Sequence, residues 1–291
     1  MVELNLSEPC PCGSGKPGGE CCWRGGLAFV VPEANPRPPA PKTGFAHPEC
    51  YARSLNDCSD DISKEHYVSR NILESFAPSG RFDVVNPPWA LGKTVPVSPG
   101  TFFARVLCRR HNNALIDLDT TGGNFFRAVM AGTDTKTAPQ AFNGINLERW
   151  LLKLLCGLSA GKPADGPLPS AGPWVAPDLW ARILFGELTF PPACGLYFDG
   201  TLGRQLNYAH QIGMERFDIN GELAGLRVSL LGFALVLLMK AATPGALASI
   251  VLNGIWRPNG FEFRRPNGDL VKMLHLSWMQ LGSGLGVHLV A

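Results

Sequence analysis

The sequence predicts an α+β chain built in three parts: a small cysteine-dense head, a middle region rich in Cys and His, and a C-terminal module of antiparallel strands with helices. Three observations carry that reading. Seven of the nine cysteines fall within the first 108 residues, mostly as close pairs. A proline run separates the two cysteine groups, and Asn-Gly turn signals punctuate the last third. With 291 residues the chain is long enough for more than one domain, since single cores rarely grow beyond about 250–300 residues. A composition 45% hydrophobic and 17% charged describes a folded, water-soluble chain rather than a disordered one. The formal charge of +2 excludes a general electrostatic attraction to nucleic acid. Any such binding must come from a local patch.

Residues 1–26 form the head. Residues 31–41 read VPEANPRPPAP, a semi-extended segment in which prolines remove the donors that a helix or ladder needs. The linker is therefore set at 27–44, the Cys/His region at 45–140 and the C-terminal module at 141–291. Within 146–158, Leu147, Leu151, Leu154 and Leu155 recur at helical spacing with Glu148 and Lys153 between them. A Pro/Gly loop follows over 161–177, then a helix near 178–185. Asn220-Gly221 and Asn267-Gly268 lie between apolar runs and predict hairpins. The apolar run 226–239 contains Arg227 and falls short of the ~20 residues that cross a bilayer. With Glu3 and Glu8 and no apolar segment near them, the N-terminus lacks secretion-signal character. A cytoplasmic protein without membrane attachment is expected.

Close cysteine pairs without a secretory signal point to metal rather than disulfide. Cys10 and Cys12 are followed, after a glycine-rich loop, by Cys21 and Cys22. Four thiolates in two pairs suit tetrahedral zinc, and so small a segment needs the metal to fold. The string PCPCGSGK followed by CC resembles the SEC-C motif. That resemblance implies a zinc knuckle that docks protein partners.

The second group spans Cys50 and Cys58, then Cys108 and His111 in a C-x-x-H pair. Two such pairs make a complete structural zinc set; His47 is the alternative to Cys58. Between the pairs lies Glu65-His66, and Asn112 follows the last ligand. This order of residues resembles the HNH endonuclease family, over roughly residues 50–130. The resemblance implies a ββα-metal domain, a β-hairpin and helix that grip one divalent cation beside the structural zinc. It implies His66 as general base, with Glu65 and Asn112 as ligands of Mg²⁺ or a similar ion. The chemistry is coherent: a histidine neutral near pH 7 can take a proton from water. Mg²⁺ needs few protein oxygens because it keeps several waters. On a regular strand, however, Glu65 and His66 point to opposite faces, so sharing one site requires a distorted backbone.

The expected function is a metal-dependent endonuclease, DNA favoured, with defence against foreign DNA as its setting. The alternatives are a non-catalytic zinc adaptor that docks protein or nucleic acid, and an RNA-directed nuclease. Arg70, Arg105, Arg109 and Arg110 are candidates for phosphate contacts. Asn86 is available as the family's middle Asn. Asp117 and Asp119 read as solvated helix acids, with a place in the metal's shell the alternative for Asp119, two turns beyond Asn112 on the same face. Cys156 and Cys194 sit among apolar neighbours and read as core. Arg257, Arg264 and Arg265 read as arginines on the wet face of a hairpin, and His210, His275 and His288 carry no ligand spacing. The module 141–291 contains no chemical motif.

Overall fold

The computed structural model describes residues 7–10, 12, 14–23, 30–77, 80–87, 90–131, 139–161, 173–199, 211–230, 232–251, 254–278 and 286–290. Gly13 and His210 lie outside them, as does most of the 161–177 loop. After the head come β1 (Ile62–His66), α1 (Arg70–Phe76), β2 (Phe82–Val85), β3 (Thr94–Val97) and β4 (Phe103–Cys108). Then follow α2 (Arg109–Ala114), α3 (Ile116–Met130), β5 (Gln140–Asn143), α4 (Gly144–Ala160) and α5 (Asp178–Leu184). The remainder is β6 (Gly195–Asp199), β7 (Gln211–Ile219), β8 (Glu222–Leu230), β9 (Phe233–Leu238), α6 (Pro244–Ile250), β10 (Ile255–Trp256), β11 (Gly260–Arg264), β12 (Leu270–Ser277) and β13 (Gly286–Val290).

The fold is mixed α+β. Strands β1 and β4 form an antiparallel two-stranded ribbon whose chain runs straight into α2 and α3. A seven-stranded sheet has the order β10-β6-β9-β8-β7-β2-β3, and a four-stranded sheet the order β13-β11-β12-β5. Both Asn-Gly turns sit where the sequence put them. Asn220 (φ 54°) and Gly221 (φ 76°) join β7 to β8, and Gly268 (φ 90°) turns β11 into β12; such left-handed backbone is what these residues tolerate. The apolar run 226–239 is divided between β8 and β9. No helix among the described residues is long and apolar enough to cross a membrane.

Two expectations change here. The C-terminal module is not purely antiparallel: β11 pairs β13, and β12 pairs β5, in parallel. Nor do residues 45–140 and 141–291 hold separate cores. Strand β2, from the Cys/His region, pairs in parallel with β7, and one buried cluster runs from Cys50 to Val287. The physical reason is α4. Asn143 caps it by accepting from Asn146 N–H at 3.0 Å, and every residue from Gly144 to Ala160 is buried. A helix covered on all sides needs elements from both regions around it. Its charged residues do not form a wet face. Glu148 pairs with Arg257 at 2.8 Å, Arg149 with Glu33, and Lys153 with Glu65 and Asp119. Arg257 is thus interior, not on a wet hairpin face. Arg264 does stay near the surface, paired with Glu262 at 2.7 Å.

The proline segment has neither helix nor strand, as expected, and is packed rather than free. Ser277 Oγ and Asn146 Oδ1 accept from Val31 and Ala34 N–H, at 3.1 and 3.0 Å. Asn143 Nδ2 donates to the Val31 carbonyl at 2.8 Å, and Cys10 and Cys22 cluster with Ala141. The head is seated on the body.

Candidate metal centres and the adjoining pocket

Cys50, Cys58, Cys108 and His111 bring one ligand atom each into a group spanning no more than 4.8 Å, all four residues buried. The wide Cys50–Cys58 interval is folded back by a 3₁₀ turn, Arg53–Leu55, and by left-handed Asn56 (φ 52°). Tyr51 N–H donating to Val106 O at 2.9 Å ties this loop to β4. Cys108 ends β4 and His111 lies in the first turn of α2, three residues apart and so on one helix face. His111 Nδ1 stands 3.6, 3.7 and 3.1 Å from the sulfurs of Cys50, Cys58 and Cys108. Zn–S bonds of about 2.3 Å set tetrahedral ligand separations of this size. His47 is not in the group; its Nδ1 accepts from Glu49 N–H at 3.1 Å.

Crowding of the thiols couples their protons. Hydrogen bonds from Cys50 and Cys58 hold the Cys108 thiol far below its ordinary value. Contact with Cys108 pushes Cys50 up, and Cys58 up to about 11. Zinc, when bound, would draw the protons from all three thiols.

The head gathers a second set, Cys10, Cys12, Cys21 and Cys22. Sulfurs of Cys12 and Cys21, and of Cys21 and Cys22, are 3.6 Å apart. Gly15 (φ 74°) turns the loop, Cys10 N–H donates to Lys16 O at 2.7 Å, and the 3₁₀ turn Gly18–Glu20 delivers Cys21 and Cys22. Both groups have the donor set and the compactness to hold zinc.

Beside the second group, Lys64, Glu65, His66, Ser69, Arg70, Asn71, Asn112, Ile116, Asp119 and Thr120 line a cavity of about 240 Å³. The β1–β4 register shifts just before the Glu65-His66 pair, between Ser63 and Glu65, and β1 ends at His66, where the chain leaves the ribbon. Glu65 forms the inner wall and His66, half-buried beside Phe103, an outer one. Asn112 Nδ2 donates to Lys64 O at 3.3 Å, which leaves its carbonyl oxygen as an acceptor. Asn71 Oδ1 is buried without a hydrogen-bond partner among the described residues, a vacancy that calls for a donor or cation.

The electrostatics follow from burial. Desolvation pushes the Glu65 carboxyl up to about 7, against the pull of the Lys153 ammonium. His66 is held below its ordinary value by burial, then by Lys153 and Arg70, so its ring is neutral at pH 7. Burial alone would lower Lys153, but Glu65 and Asp119 outweigh it and keep the ammonium charged.

His66, Glu65 and Asn112 therefore line one pocket, whereas Asn86 does not. It turns the β2–β3 connection, its Oδ1 accepting from Gly92 N–H at 2.8 Å. Asp119 is not a solvated acid. Ser69 Oγ donates to its Oδ1 at 2.6 Å, Lys153 pairs with it, and Trp150 Nε1 donates to Ser69 Oγ at 2.8 Å. Asp117 is exposed, as expected. Among the arginines, Arg110 is structural, bound to Asp57 and the carbonyls of Pro39 and Pro41. Arg109 pairs with Asp61 and Arg70 with Glu74; only Arg70 lies on the pocket. Sequence reasoning missed Lys153, Ser69 and Asn71. A lone lysine inside WLLKLLCGL was the available signal, because a charge in a fully apolar run needs a buried partner. Compared with known proteins, the chain matches no family model, no curated protein and no solved structure.

Proposed function

We propose that this chain is a metal-dependent nuclease that hydrolyses nucleic-acid phosphodiesters, with DNA as the favoured substrate. The observation that carries the reading is that His66 and Asn112 line one pocket, next to a buried Cys/His group that can hold structural zinc. An antiparallel ribbon leading into a helix, the order β1, β4, α2, is the arrangement that the HNH resemblance implies. The pocket fits a divalent cation: it has acidic side chains in its lining, amide oxygens from Asn112 and Asn71, and room for retained waters. Such an ion, when bound, neutralises the scissile phosphate and stabilises the departing oxygen. Neutral His66 takes the proton from the attacking water. Arg70 at the rim contributes positive charge toward a phosphate, and the zinc group ties the Cys50–Cys58 loop to the start of α2. The reading extends to a cytoplasmic role in defence against foreign DNA, and to protein docking through the head, whose 14–16 turn is exposed.

The test is cleavage of supercoiled plasmid, and separately of structured RNA, with Mg²⁺ or Mn²⁺. Wild type should nick DNA, and His66→Ala should lose about 10²–10⁴ in rate with zinc content unchanged. Cleavage of RNA alone selects the RNA-directed alternative. No cleavage of either, or an unaffected His66→Ala, refutes the proposal in favour of an adaptor.

A further inference from the structure

Glu65 is the carboxylate that adjacency to His66 nominates as metal ligand, but it is turned inward. Its side chain is 3% exposed, and its Oε1 lies 2.5 Å from the Nζ of Lys153, itself 2% exposed. An ammonium so deeply placed needs its countercharge, since an unpaired buried charge is strongly destabilising. Giving Glu65 to a metal would set a dication against that ammonium.

Asp119 is placed differently. Its side chain is 30% exposed and it lines the same pocket as Asn112, Asn71 and His66. Both of its bonds, from Ser69 Oγ at 2.6 Å and from Lys153, fall on Oδ1. Its Oδ2 has no hydrogen-bond partner among the described residues. Ser69 is in turn fixed by Trp150 Nε1, so the carboxylate is anchored at one oxygen and open at the other.

We propose that Asp119, rather than Glu65, offers the carboxylate oxygen to the divalent cation of this pocket, and that Lys153 is a positioning residue that locks Glu65 inward and pins Asp119 through Oδ1. The inference rests on the nuclease reading for the use of the cation, but not for its binding. The charges agree with it: the Lys153 ammonium faces the buried Glu65 carboxyl, and Asp119 presents its open oxygen on the Asn112 side. That is enough to hold a hydrated dication weakly, in the manner of Mg²⁺ sites with few protein ligands.

The experiment is a Mn²⁺ titration of zinc-loaded full-length protein, followed by electron paramagnetic resonance. Asp119→Asn, which keeps acceptors for Ser69 and Lys153, should weaken Mn²⁺ binding about tenfold or more. Glu65→Gln, which removes no ligand, should cost far less Mn²⁺ affinity than Asp119→Asn. Lys153→Met should weaken binding several-fold, because Asp119 loses its anchor at Oδ1. Loss of Mn²⁺ in Glu65→Gln, or its retention in Asp119→Asn, overturns the assignment. An unchanged affinity in Lys153→Met overturns the positioning role. Zinc content and melting temperature identify misfolding; if Asp119→Asn does not fold, Glu65→Gln alone decides. A wild type that binds no Mn²⁺ also overturns the inference. Plasmid cleavage is scored apart: Asp119-dependent Mn²⁺ binding without cleavage sinks the nuclease reading and keeps this one.

Discussion

Arg257→Met is the sharpest test of how the chain is held together. Arg257 and Glu148 are 2% and 0% exposed, joined by two bonds of 2.8 and 2.9 Å. Leu196 N–H donates a third bond to the carboxylate at 2.7 Å. The close fit requires Gly195 (φ 111°), where a Cβ would stand 2.2 Å from Glu148 Oε1. The pair links α4 to β6 and to the end of β10, at the edge of the large sheet. Removing the guanidinium leaves a buried carboxylate with one backbone donor, a loss of about 3–5 kcal/mol. That is a large part of a typical total of about 5–15 kcal/mol. The carboxyl can escape by taking up a proton. Burial already pushes Glu148 above its ordinary value with Arg257 present, and without it the rise is steeper. A raised folded-state value in an acid means that the folded variant binds the extra proton. Its stability then falls as pH rises from the unfolded value near 4.3 to the raised folded value, by up to about 1.4 kcal/mol per pH unit. Urea unfolding in zinc-containing buffer at pH 5 and pH 7 measures this. The variant should be weaker by several kcal/mol at pH 7 and by distinctly less at pH 5, and adding Glu148→Gln should recover part of the loss. A cost below about 1 kcal/mol at pH 7, or one independent of pH, refutes the reasoning.

Other outcomes follow from the same structure. Elemental analysis should find two zinc ions per chain, given the two four-ligand groups; Cys108→Ser should lose one of them together with thermal stability, while Cys156→Ser keeps both. A zinc count unchanged in Cys108→Ser would exclude the buried group as a zinc site. Lys272 is buried, and its Nζ donates to Val129 O and Ala131 O, 2.9 and 2.7 Å away at the end of α3. Burial lowers its ordinary value to about 8, so the unfolded chain holds the proton more tightly. Stability should therefore rise between about pH 8 and 10.5, and urea midpoints of Lys272→Met should lack that rise.

Much of this architecture is legible without coordinates because the signals are local. Ligand pairs such as Cys108 and His111 share one helical turn, the Asn-Gly turns need only their own backbone, and α4 and α5 are set by nearest-neighbour spacing. The sequence by itself therefore determined both metal ligand sets, both hairpins and the pairing of His66 with Asn112 as candidates. Tertiary structure decided what depends on distant partners. Whether Lys153 is wet or buried depends on carboxylates 88 and 34 residues away (153 − 65 and 153 − 119). Whether 45–140 stands alone depends on β2 finding β7. How Glu65 and Asp119 share one countercharge depends on where the Lys153 ammonium lies. A charge has no spacing rule in sequence; its partner is chosen by what the folded chain brings within reach when water is removed.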